Sequence, residues 1–388
     1  MRLAVIADVH LANHRRHGGA SVSGINERCR LALASLRRAI DLAVEDGCSA
    51  LVVVGDLFDD DWPPPQVIAA AQDEFKQARD ARVDVVVLAG NHDQRSVDTG
   101  DHALGPLREV AHVIDEPTVV QLADVDLWCV PYRPGPASEW LPAAVAQIAA
   151  VPGDPRLPSD RQRVLVLHAG LVDSETPPYL RAAPDGIGVE TVVELTRKHG
   201  IETVFAGHWH SRRVWSTSGR IALVQKGVVE APFVAQVGAL VPTGHDNPGA
   251  YGYGTVAILD GRGCEIHEVA GPRFMSATSV ADEAVASAHK AGHHVFLRVR
   301  AVPDKMNDAV IAAEAARAAG RIGGFEVDPD DGEARAAVRV AASAARSAET
   351  LDEAVSGFVR EMPIPSGVDR DAVLAHARKY LTHTEEAI

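Results

Sequence analysis

Cysteine is scarce in this chain: Cys29, Cys48, Cys129 and Cys264 are the only four in 388 residues, and they are far apart. Their spacing excludes both a disulfide framework and a closed thiolate zinc site, and it leads us to expect a reducing, cytoplasmic setting. Also missing is any run of 18 apolar residues, so no membrane span is expected. The opening Met1-Arg2 leads directly into a strand-like run, which leads us to expect no signal peptide. A surplus of positive charge is absent as well. Lysine is scarce relative to arginine, and 38 basic residues stand against 53 acidic ones, for a net charge of −15. A protein that grips duplex DNA unaided usually presents a basic face. Either a partner supplies that face here or the substrate is small.

What the chain does have is a series of five polar motifs, each just past an apolar run. Asp8-Val9-His10 follows Leu3 to Ala7, Gly55-Asp56 follows Leu51 to Val54, and Gly90-Asn91-His92-Asp93 follows Val83 to Leu88. His168 follows Val164 to Leu167, and Gly207-His208-Trp209-His210 follows Thr203 to Phe205. Runs of this length, β-branched or leucine-rich, read as buried strands. The polar residues therefore fall at strand ends, the rim where layered α/β folds bind ligands. Between the strands, Asn26 to Glu45, Gln66 to Arg79 and Glu190 to Lys198 read as helices. Taken singly, each motif is as easily a turn or a hydrogen-bonded core histidine. Together, and with His208 and His210 two residues apart so that an extended backbone points both the same way, they supply the oxygen and imidazole donors of a two-metal site for phosphate esters. Mixed carboxylate, amide and imidazole donors suit Mn²⁺, Fe²⁺ or Zn²⁺.

The motifs in this order resemble those of the calcineurin-like metallophosphoesterase superfamily over roughly residues 1 to 270. Within it, Ala7-Asp8-Val9-His10-Leu11, Gly55-Asp56-Leu57-Phe58-Asp59 and Pro63-Pro64-Pro65 look like the SbcD type of DNA-repair nuclease. The resemblance implies an α/β fold: a four-layer β-sandwich flanked by helices, with a small α/β cap and a C-terminal helix-loop-helix. It implies two divalent ions per chain, with Mn²⁺ the usual activator. One would be held by Asp8, His10, Asp56 and His210, the other by Asp56, Asn91, His168 and His208. It further implies His92 as the catalytic proton donor, with Asp93 placed to orient it. Arg15 and Arg16, in the cluster His14-Arg15-Arg16-His17, together with Arg95, Arg212 and Arg213, are candidate contacts to flanking DNA phosphates, or simply solvated loop charges. His289 and His293 are four apart, but Gly292 between them and the strand-like run that follows argue against a helical metal pair.

Residues 1–272 are thus expected to form the metal domain and 273–345 the cap, with His294 to Val302 a strand, Asn307 to Ala319 a helix, and Gly324 to Asp328 and Ala334 to Val340 shorter strands. In 346–388, Leu351, Val355, Phe358, Val359 and Met362 share one helical face, with Thr350 and Glu353 forming a capping box and Pro363 and Pro365 a stop. A second helix from about Asp369 aligns Val373, Leu374, Ala377 and Leu381. These faces resemble the element that holds an SbcC-type coiled-coil ATPase, although they could equally pack on the cap. The expected partners are DNA, that ATPase and a second copy of the chain. The competing readings are a small-molecule phosphodiesterase of the same superfamily and a structural subunit that has lost catalysis.

Overall fold

The computed structural model describes residues 1–96, 101–122, 124–151, 161–176, 183–218, 221–224, 228–245, 254–261, 263–330, 351–362 and 369–385. All five apolar runs are strands: Leu3–Ile6, Ala50–Val53, Asp84–Leu88, Gln162–His168 and Thr203–Gly207. The first three lie side by side and parallel with His112–Ile114, in a seven-stranded sheet whose other edge is Thr255–Leu259, Gly263–Glu268 and Val229–Glu230. The last two are central in a second seven-stranded sheet. There, Gln162–His168 and Thr203–Gly207 run parallel to each other and to their flanking strands Val125–Val130 and Phe233–Gln236.

Period-two alternation sends side chains to both faces of each sheet, and both faces are buried. Leu3 and Val5 point inward against Val164, Val166, Phe205 and Phe233 of the other sheet. Ala4 and Ile6 point outward beneath Leu36, Ile40 and Phe75 of the helices Glu27–Glu45 and Pro65–Asp80. On the far side, Leu165, Leu167 and Val204 meet Leu141, Val145 and Val192 of the helices Ala137–Ala150 and Val189–His199. Helix, sheet, sheet, helix gives four layers. The first two helix starts have local causes: the Asn26 side chain accepts from the Cys29 amide at 2.9 Å, and Pro65 occupies the first turn of its helix, where no amide hydrogen is needed. Each fully buried Leu or Phe contributes about 1.5–3 kcal/mol, so the strands that carry the site are anchored from both sides.

A separate core unites Val285, Val295, Leu297, Val299, Ala313 and Ile322 in three parallel strands, Pro272–Ala277, His294–Ala301 and Gly324–Pro329, with the helices Glu283–Lys290 and Met306–Ala318. Two of these elements were not legible in the sequence. Pro272 already belongs to the first strand, so a boundary at 272 falls inside an element, and the helix Glu283–Lys290 is capped by the Asp282 side chain, which accepts from the Ala284 amide at 2.8 Å. His289 is in the last turn of that helix and His293 lies beyond it, accepting from the Gly271 amide, so the two do not share a helical face. The run Ala334 to Val340 lies outside the described residues.

At the C-terminus the helices Leu351–Glu361 and Arg370–Glu385 pack on each other, tied by Arg378 to Asp352 at 2.7 and 2.9 Å. Val359 is 4% exposed, which commits it to the chain's own packing rather than to an open face. Val355, Phe358, Met362, Val373 and Leu374 are half-buried. Thr350, Pro363, Pro365 and the side chains of Leu351 and Leu381 lie outside the described residues.

Candidate metal centre

Four of the motif residues turn the chain sharply. Asp8, His10, Asp56 and His208 have φ of 52, 49, 49 and 88°, a left-handed backbone that side chains rarely adopt. Such conformations cost on the order of 1–3 kcal/mol each and persist only where the surroundings enforce them. Here the first two loops are laced together: the Val9 and His10 amides both donate to the Asp56 carbonyl at 2.9 and 3.1 Å, and the Leu11 amide donates to Leu57 at 2.9 Å. Two glycines are demanded by close approach. A Cβ on Gly55 would run into the His168 ring, and one on Gly90 into the Asp56 carboxylate.

The turns bring two groups of donors together, Asp8 with His10 and His210, and Asp56 with His168 and His208. The ring nitrogens Nε2 of His10 and His210 lie 3.0 Å apart. Asp56 Oδ2 lies 3.3 Å from His168 Nε2 and 3.9 Å from His10 Nε2, so one carboxylate oxygen faces both groups. Asn91 Oδ1 is 3.1 Å from His168 Nε2 and 2.9 Å from His208 Nδ1. His168 is aimed by its other nitrogen, which donates to the Val54 carbonyl at 2.8 Å. His208 is likewise held through Nε2 by Asp185 at 2.7 Å, and its amide donates to Asp8 Oδ1 at 3.0 Å. Bracing of this kind is what orients metal-binding imidazoles.

Asp8 Oδ2, fully buried, has no hydrogen-bond partner among the described residues. A buried carboxylate oxygen left bare costs several kcal/mol unless a cation meets it. The proton affinities agree. Burial alone would lower the pKa of His168, yet the neighbouring Asp56 carboxylate overrides it and lifts it to about 9. Against the pull of burial, His10 is raised as well, by its contact with Asp59 and by Asp56. The pocket therefore asks for positive charge, and the donor set fits divalent metal ions.

His92 lies at the solvent edge of the centre, its ring edge-on to His10 with centroids 4.9 Å apart. Its Nδ1 donates to the Asp59 carbonyl at 3.0 Å, which leaves Nε2 outside that bond. Asp93 does not orient His92. Its two oxygens accept from the Phe58 and Gly90 amides at 3.0 and 2.9 Å, so it staples the second motif loop to the third from a fully buried position. Burial and the nearby Asp56 charge raise its pKa to about 7.

The arginines also differ from expectation. Arg16 donates to both oxygens of Glu326, Arg212 pairs with Glu268 at 3.3 Å, and Arg213 with Asp173 at 2.9 Å. Arg95 donates to the Asp61 carbonyl. Only Arg15 of the five is simply exposed, with none of these contacts. Four are thus engaged in holding loops and the strand Gly324–Pro329 rather than lining an open cationic track. Three residues that join the site were not among the expected site residues: Asp59, 3.0 Å from His10 Nδ1; Asp185; and Tyr132, stacked on His208 with centroids 6.0 Å apart. Asp59 stands in the Gly55-to-Asp59 run and was within reach of a sequence argument, whereas Asp185 and Tyr132 come from loops with no pattern.

The family model for calcineurin-like phosphoesterases matches residues 1–212, more than half of the chain. The chain belongs to this family of metal-dependent phosphoesterases. Among curated proteins it is similar to the DNA double-strand break repair protein Mre11 of Sulfurisphaera tokodaii, 26% identical over 183 residues that cover 46% of this chain and 43% of that protein. It is also similar to Mre11 of Sulfolobus acidocaldarius, 23% identical over 55% of this chain and 50% of the relative. The chain thus spans about half the length of the curated relatives it matches. Among solved structures, TT1561 of Thermus thermophilus aligns with 69% of this chain and 98% of its own at 12% identity, with a TM-score of 0.39.

Proposed function

We propose that the chain is a two-metal DNA nuclease, the SbcD-like subunit of a repair or recombination complex. The observation that carries the reading is the pair of three-donor groups with Asp56 Oδ2 facing both, at the rim where the two sheets meet. Asp8, His10, Asp56 and His210 would hold one ion, and Asp56, Asn91, His168 and His208 the other. Two ions so placed, Mn²⁺ being the first to try, supply Lewis acidity and a water activated for attack on phosphorus. His92 then protonates the departing sugar oxygen from Nε2 while the Asp59 carbonyl holds Nδ1. The Mre11 names of the relatives support DNA as the substrate. Incubating the purified protein and Mn²⁺ with labelled duplex DNA, single-stranded DNA and bis-p-nitrophenyl phosphate tests it. Cleavage of the small ester with none of DNA would sink the nuclease reading.

That outcome is the second reading, a small-molecule phosphoesterase, and two observations favour it: the net charge of −15 and the pairing of Arg16, Arg212 and Arg213 with carboxylates. The nuclease reading answers both with partners. Residues 1–272 would act as the nuclease domain and 273–345 as a cap over the cleft. The helix pair within 346–388, with Val355, Phe358, Met362, Val373 and Leu374 half-buried on it, would dock a coiled-coil ATPase of the SbcC type in a dimeric, cytoplasmic complex. Removing 346–388 should retain metals and ester hydrolysis but abolish co-purification with that ATPase, and Phe358→Asp should do most of the same damage. A truncated chain that aggregates, while the ATPase ignores the intact one, would assign the helices to the chain's own core.

A further inference from the structure

Trp62 is 69% exposed, while the other large hydrophobic residues that are exposed among the described residues are valines and an isoleucine. Nothing in the packing accounts for leaving an indole in water three residues after Asp59. Its position is nonetheless built. The Trp62 amide donates to Asp60 Oδ1 at 2.9 Å, and the chain then enters Pro63-Pro64-Pro65, which restricts the backbone. The Arg95 guanidinium carbon lies 3.8 Å from the indole centroid, and Arg95 is itself fixed by donating from Nε to the Asp61 carbonyl at 2.7 Å. The same loop supplies the Asp59 carbonyl that holds His92.

On the nuclease reading above, we infer that Trp62, braced on one face by Arg95, is a stacking platform for a nucleobase adjoining the scissile phosphate. Trp62 stands three positions after Asp59, so their Cα atoms lie within about 11 Å of each other, the span of roughly one to three stacked nucleotides. The neighbouring carboxylates of Asp59, Asp60 and Asp61 would repel a phosphate, which makes the uncharged face of a base the part of a nucleotide that fits. Stacking on an aromatic ring tolerates any base, and its loss weakens binding of a strand about five- to hundredfold. The platform would therefore favour strands unpaired near the cleavage point without selecting a sequence.

The test uses the full chain with Ca²⁺ in place of Mn²⁺ and a short fluorescein-labelled single strand followed by anisotropy. Trp62→Ala should raise Kd by about five- to hundredfold, and Trp62→Phe should restore most of the affinity. A single abasic nucleotide scanned along the strand should cost the wild type a similar factor at one position and cost Trp62→Ala little there. With Mn²⁺, the ratio of DNA to bis-p-nitrophenyl phosphate kcat/KM should fall in Trp62→Ala. Metal content and melting temperature report whether each variant is folded. Equal Kd values and equal abasic profiles in a wild type that does cleave DNA would overturn this inference alone. A wild type that hydrolyses the ester and binds no DNA would overturn the nuclease reading with it. If Trp62→Ala instead turns a dimer into a monomer in sedimentation and leaves the abasic profile intact, Trp62 belongs to a contact between copies and the platform is wrong.

Discussion

Imidazoles gather around carboxylates both at the sheet rim and at the junction with the three-stranded unit that carries Glu326, and the two clusters are built differently. At the rim, His10, His168 and His208 face Asp59, Asp56 and Asp185, and Asp8 Oδ2 is buried bare. At the junction, His17 and His245 gather around Glu326, whose two oxygens receive Arg16. The proton affinities of the rim imidazoles nearest Asp56, His10 and His168, are raised, while burial lowers His210 and both junction imidazoles. Asp56 lifts His168 to about 9 against burial, whereas burial and the nearby Arg298 push His245 down to about 4. A site that holds protons tightly is one that lacks cations. The junction already has its cation in a guanidinium, and the rim has a place for one that the protein does not supply. Clustered ligand types are therefore not enough to name a metal site; the charge around them decides.

The largest effects should come from the rim. Asp56→Asn should lose bound metal and, with it, hydrolysis of any ester, because Asp56 Oδ2 faces both donor groups. His92→Asn should keep its metal and lower turnover by about 10² to 10⁴, the range of general acid catalysis. Metal analysis beside steady-state kinetics separates the two, and a metal-depleted His92→Asn would move that residue into the ligand set. At the junction, Glu326→Gln should leave both metal content and ester turnover near wild type. If it strips metal, the contrast between rim and junction is broken.

A middle-sized effect belongs to Asp93. Its oxygens accept two backbone amides in a fully buried pocket, so Asp93→Asn would turn an amide NH₂ toward a donor. An unsatisfied buried group costs about 1–3 kcal/mol, which should appear as a lower midpoint in urea. Metals and chemistry should suffer less than in His92→Asn, since Asp93 does not touch that ring. An unchanged midpoint with a collapse in kcat would restore Asp93 to the catalytic machinery.

The five strands and the motif residues at their ends were legible because a run such as Val164 to Leu167 is both locally strand-forming and buried on both faces. Local and long-range preferences agree there. The second sheet was half hidden, since Thr118–Leu122 and Val125–Val130 announce themselves only by pairing with Gln162–His168 and with each other. The strand Pro272–Ala277 was not legible because it begins at a proline after Gly271, and its partner at His294 lies a helix away. The partners of the arginines were hidden for a similar reason. Sequence shows a charge near a ligand, but the carboxylate that takes it up, such as Glu326 for Arg16, can be 310 residues distant. Asp93 likewise stands beside His92 in sequence, while its side chain turns to the Phe58 and Gly90 amides instead.

The smallest effect tests the junction by pH. The hydrogen bonds from Arg16, helped by the charges of Arg16 and His17, hold Glu326 down at about 2 from an ordinary value of 4.5. A lowered carboxylate contributes stability that is fully present above its unfolded pKa and is lost as pH falls through the folded one. The difference in melting temperature between wild type and Glu326→Gln should therefore be constant from pH 7 to about 5 and shrink between about 4.5 and 2. Its size should be small. Arg16 is 47% exposed, so solvent screens the pair, and an ion pair of that kind contributes about 0.2–1 kcal/mol. His17 and His245 also gain their protons facing Glu326, so the pair is compared in a His17→Gln, His245→Gln background, in which these imidazoles no longer titrate. Added salt, at about 1 M, should narrow the gap at pH 7 by screening. A gap that widens toward acid would mean that Glu326 is held protonated in the fold, and the junction would then resemble the rim in lacking a cation of its own.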